Sequence, residues 1–144
     1  MKFTELLGIF KESKTLSKSH MKNLLEMAMV DNHFDDSEYE LLLKLAKKYK
    51  VSEKELNEIK ENPDMVEFEL PKDDDTKFEQ FYDLVLMMTI DNEQCREELN
   101  LCKIFATKFG YKNGEEIVSI ISQNIGNGLD WKESKMRVEM YEPL

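Results

Sequence analysis

Glycine and proline are scarce in this chain. Five Gly and three Pro among 144 residues leave few points where a helix must stop, while Leu, Lys, Glu, Met and Phe are common, so propensity summed over long windows favours helix and an all-α fold. Cysteine is scarcer still. Cys95 and Cys102, seven residues apart on one helical stretch, would lie roughly 10 Å from one another on nearly the same face, too far for a disulfide, and they read as buried free thiols of a reducing compartment. Basic residues are outnumbered, 20 Lys and Arg against 30 Asp and Glu, for a net charge of −10 and a pI near 4.8. A phosphate backbone or an anionic lipid surface would be repelled, which excludes nucleic acid as a partner and disfavours direct membrane binding. Long apolar runs are missing as well. The longest, around Leu84 to Ile90, is far below the ~20 residues of a membrane helix, and the first twenty residues mix lysines with Glu5 and Glu12 and show no secretion signal. The expected compartment is the cytoplasm.

At this length one domain can bury roughly two thirds of the surface of its unfolded chain. The sequence predicts a single helical bundle over residues 1–144, with about seven helices. A short amphipathic segment spans residues 2–12, and a second helix begins with Ser17 or Ser19 as cap. This second helix carries Met21, Leu24, Leu25, Met27, Ala28, Met29 and Val30 and is apolar on almost every side, as a helix inside a bundle is. Tyr39, Leu42, Leu43, Ala46 and Tyr49 then mark one face of a third helix. Ser52 with Glu55 has capping-box spacing for a fourth, which must stop before Pro63. Residues 62–75, with two prolines and the acidic run Asp73-Asp74-Asp75, read as the one long connection. Three more helices follow: one nearly all apolar and capped by the acidic run, one ending at Gly110, and one capped by Asn113. The tail 126–144 holds Trp131, Met136, Met140 and Tyr141, and is expected to pack back on the bundle.

Sliding the chain by sixty residues sets residues 24–49 over 84–109 without a gap, with eight identities in 26. Asp31-Asn32 falls on Asp91-Asn92, and Glu38 on Glu98. The chain thus divides into two halves, about 18–61 and 76–125, expected to be pseudo-symmetric. In each half an Asp ends an apolar helix, an Asn follows, and a Glu stands in the first turn of the next helix. A carboxylate at a helix C-terminus faces the negative end of the dipole, at a cost of a few tenths to ~1 kcal/mol if uncompensated. Asn suits the left-handed residue that closes a helix, which would hold each Asp near the following Glu. Glu38 is explained by capping from Asp35, whereas Cys95, three residues before Glu98, is a poor cap.

Clustered carboxylate oxygens suit a hard divalent cation, so calcium, magnesium or manganese is the expected ligand of Asp31, Glu38, Asp91 and Glu98. Zinc fits less well, because His20, His33 and the two cysteines lack ligand spacing. An EF-hand loop starting at Asp31 would need Gly at 36 and Glu at 42, where Asp36 and Leu42 stand. His33 reads as an exposed turn residue, since Glu93 replaces it in the second copy. The methionines of the two apolar helices read as core.

The repeated Asp-Asn-(x5)-Glu pattern over residues 18–125 resembles the TerB-like family, named after a bacterial tellurite-resistance protein. The resemblance implies an all-helical bundle of two pseudo-symmetric halves, each with an apolar helix ending in Asp, usually Asp-Gly. It also implies a non-catalytic cytoplasmic module that binds a metal through Asp31, Glu38, Asp91 and Glu98 and works with protein partners in stress response. Asn replaces the usual Gly at 32 and 92, which keeps the turn but does not extend to a tellurite role in particular. Two other readings compete: a metal-dependent hydrolase using the same carboxylates, and a protein-interaction domain without a ligand.

Overall fold

The computed structural model describes residues 2–32, 34–90, 95–141 and 144, and of residues 3–12 the backbone alone. Among the described residues there are seven α-helices and no strand. They are α1 (Phe3–Met29), α2 (Asp36–Lys48), α3 (Glu53–Glu61), α4 (Asp74–Thr89), α5 (Arg96–Lys108), α6 (Gly114–Gly126) and α7 (Trp131–Tyr141), with a 3-10 turn at Pro63–Met65 between α3 and α4. Among the described residues no helix is long and apolar enough to cross a membrane.

Two expectations about element boundaries are corrected. α1 runs through Ser17 and Ser19 without the predicted break, because a serine can cap a helix only where the chain already leaves it, and no Gly or Pro lies between Lys11 and Ser19 to force that. Ser19 is instead buried and ties down the long connection: its Oγ accepts from the backbone N–H of Glu69 at 2.8 Å. The second concerns the tail, for which the sequence reading gave no element and which forms a regular helix. α7 packs on α6 and α4, burying Val138 and Ser134, while Met136, Met140 and Tyr141 stay exposed.

Two predicted caps hold. Ser52 and Glu55 form a reciprocal capping box, with Glu55 held down to about 2 first by the backbone N–H of Ser52 and then by Lys14. Asp73 caps α4, accepting from the N–H of Thr76.

The core lies where α1 and α4 cross, with α2, α3, α5 and α6 packed around them. Met21, Leu24, Met27, Leu84, Met87 and Met88 are fully buried there, at roughly 1.5–3 kcal/mol of transfer energy per side chain. Met29, expected in the core, is 41% exposed because the helix ends at this residue and its last turn reaches the surface.

Candidate functional site

The end of α1 and the starts of α2 and α5 position the predicted acids. Asn32 has φ 62, the left-handed conformation the sequence assigned to it, and its N–H returns to the carbonyl of Met29 at 3.1 Å. Asp31 is therefore fixed directly beyond the helix end, half-buried. Asp35 is the N-cap of α2, its carboxylate accepting from the N–H of Glu38 at 2.9 Å and from the hydroxyl of Ser37 at 2.7 Å. Glu38 and Glu98 occupy matching stations in the first turns of α2 and α5, and each is only 1% exposed. Asp91, Asn92, Glu93 and His33 lie outside the described residues.

Cys95 corrects the reading of α5. It is the N-cap, with Sγ accepting from the N–H of Glu98 at 3.3 Å. Its thiol also donates to Glu98 Oε1 at 3.2 Å, so one side chain both caps the helix and orients the buried carboxylate. Cys95 is only half-buried and not inside the helix; Cys102 is buried within it, and both are free. Burial, followed by the hydrogen bond and charge of Glu98, pushes the Cys95 thiol up to about 11 against the opposing backbone N–H. Cys102 is pushed up to about 12, by burial first and then by Glu98. A thiol held protonated at neutral pH is a poor nucleophile.

The geometry brings Asp31 to the other half of the chain. One ligand atom each of Asp31, Cys95 and Glu98 lie within 4.8 Å of one another. The pairing therefore crosses between halves: the Asp that ends α1 meets the Glu that begins α5. Two carboxylates this close favour a cation or a proton between them.

A second polar group, which the sequence reading did not single out, is buried where α1, α2 and α4 meet. Asp83 Oδ2 accepts from the Tyr49 hydroxyl at 2.6 Å and lies 3.0 Å from His20 Nε2. The rings of His20 and Tyr49 meet edge to face at 4.9 Å. Since the carboxylate can only accept, Nε2 carries the proton. Burial, then the charge of Asp83, raises the Tyr49 hydroxyl well above its ordinary value. Asn23 and Gln80 are buried close by in sequence. The signal for this group was present: His20 with Asn23, and Gln80 with Asp83, are i, i+3 polar pairs that alternate with the buried Met21, Leu24, Phe81 and Leu84. Compared with known proteins, the chain matches no family model, no curated protein and no solved structure.

Proposed function

We propose that the chain is a non-catalytic TerB-like module, built of two related halves, that binds a divalent cation through Asp31, Glu38, Asp91 and Glu98 and docks other proteins in a bacterial stress response. The observation that carries this reading is the approach of Asp31 to Glu98, within 4.8 Å with Cys95. Asp31 and Glu98, one member of the recurring pattern from each half, approach each other where a cation would relieve their repulsion.

The two-half architecture is supported by the element ends. α2 and α5 are both 13 residues long and begin sixty residues apart, and α1 and α4 end at Met29 and Thr89. Their closures match bond for bond. Tyr49, Lys50 and Val51 donate to Leu45, Lys47 and Ala46, and Phe109, Gly110 and Tyr111 donate to Phe105, Thr107 and Ala106.

The donor set suits calcium, magnesium or manganese. Carboxylate oxygens are hard ligands, with backbone carbonyls and water free to complete the shell. The protonated Cys95 thiol would remain a hydrogen-bond donor, since a thiophilic metal must first displace its proton. A cation bound only by the folded state raises stability by about 2.7 kcal/mol at a hundred times Kd. Chelator-treated protein should therefore melt higher with calcium, magnesium or manganese, and Asp31→Ala with Asp91→Ala should abolish the rise. Identical melting with and without every cation would sink the metal reading.

A further inference from the structure

Away from the acids, a cleft of about 610 Å³ opens between α1, α3 and the chain around the 3-10 turn. Its floor is apolar: Ile59 is buried, Val66 is half-buried, and Met65 stands 84% exposed at the lip. Its walls carry Glu55, Glu58, Glu67 and Glu69, with Lys18 the one basic residue among the described lining residues. Lys18 is engaged with Glu55 at 3.6 Å, and Lys14 reaches the same carboxylate at 3.1 Å. Glu58 and Glu67 are exposed.

The cleft is pre-formed, because its far wall is pinned to α1 at two points. Ser19 holds the backbone of Glu69, and Lys22 donates to the carbonyl of Val66 at 2.8 Å. A site that needs no ordering on binding loses less entropy there.

We propose that this cleft is the docking groove for an amphipathic helix of a partner protein, one that sets an apolar stripe on Ile59, Val66 and Met65 and flanks it with lysine or arginine. Both halves of that description come from the lining. The apolar floor takes the stripe, as in other helix-in-groove recognition, and an unbranched thioether at the lip adapts to the side chains it meets. The exposed Glu58 and Glu67 select cationic flanks and repel nucleic acid and anionic lipid. A small polyamine would satisfy the glutamates but leave the floor in water. The inference deepens the protein-docking part of the proposed function and rests on it. It is independent of the cation.

The test uses full-length protein and a dye-labelled synthetic helix of leucine and lysine, with leucine at i, i+3, i+4 and i+7. A scrambled peptide of the same composition has the charge without the stripe. Anisotropy is read at about 150 mM salt, where long-range attraction is screened, once with chelator and once with manganese. Met65→Asp should weaken binding roughly tenfold although it adds a negative charge, and Glu58→Lys with Glu67→Lys should do the same. Glu97→Lys with Glu133→Lys, on exposed turns of α5 and α7, should change it less than about twofold. Equal or tighter binding by Met65→Asp, or equal binding of the scrambled peptide, would overturn the proposal. Either result would leave the cation site untouched, just as a failure to bind cations would leave this groove standing.

Discussion

At the scale of single residues, the two helix closures show how one backbone position tolerates different side chains at different cost. Lys50 holds φ 60 and Gly110 holds φ 83 at equivalent points after α2 and α5. An L-residue there is strained by roughly 1 kcal/mol, and glycine is not. Lys50→Gly is expected to raise unfolding free energy by about 0.5–1 kcal/mol, and Gly110→Ala to lower it by about 1 kcal/mol, both measured by urea denaturation. A loss of stability in Lys50→Gly would mean that the Lys50 side chain does more than the strain costs.

The thiols make a second residue-scale prediction, through pH. Both are raised in the folded protein, to about 11 for Cys95 and about 12 for Cys102, against ~8.5 in an unfolded chain. Groups that bind protons more tightly when folded contribute stability that is complete below the unfolded value and lost as pH rises through the folded one. The urea midpoint should thus fall between pH 8 and pH 10.5. Cys95→Ser removes one titrating group and keeps a capping side chain, so its midpoint should fall less over the same interval. An identical slope in the variant would show that the Cys95 thiol does not titrate as its surroundings require.

At the scale of elements, α5 and α6 pack closely at the start of α6. A Cβ built on Gly114 would stand 2.7 Å from Ala106 Cβ, so the first residue of α6 is glycine because α5 passes directly over it. Gly114→Ala should cost about 1–3 kcal/mol as overpacking, and adding Ala106→Gly should recover part of that loss in a double-mutant cycle. Strict additivity of the two would mean the helices separate instead of clashing.

Most elements were legible in the sequence for physical reasons that can be named. α2 announced itself by the stripe from Tyr39 to Tyr49, and α3 by Ser52 and Glu55. The fusion of residues 2–12 with the following helix was misread because two serines were given the weight of a break. A cap stabilises an end that something else creates. Cys95 was misjudged in the opposite direction: sulfur is a weak acceptor, yet at 3.3 Å from the N–H of Glu98 it fills the station that Asp35 fills in α2.

At the scale of the whole molecule, packing joins residues that are remote in sequence. The bundle carries the end of α1 to the start of α5 and sets Asp31 against Glu98 and Cys95. Such a crossing follows from how α1 packs against α4 and α5, which no local spacing encodes. The contact of His20 with Asp83, 63 residues on, was hidden for the same reason.

The central claim is that a divalent cation binds between these two halves, and paramagnetic broadening by manganese tests it most directly. Substoichiometric Mn2+ added to isotope-labelled, chelator-treated protein should first erase the amide resonances of Asp31, Cys95 and Glu98, and Glu98→Gln should restore them while leaving the fold intact. Broadening confined to exposed carboxylates elsewhere, or unchanged in Glu98→Gln, would contradict it.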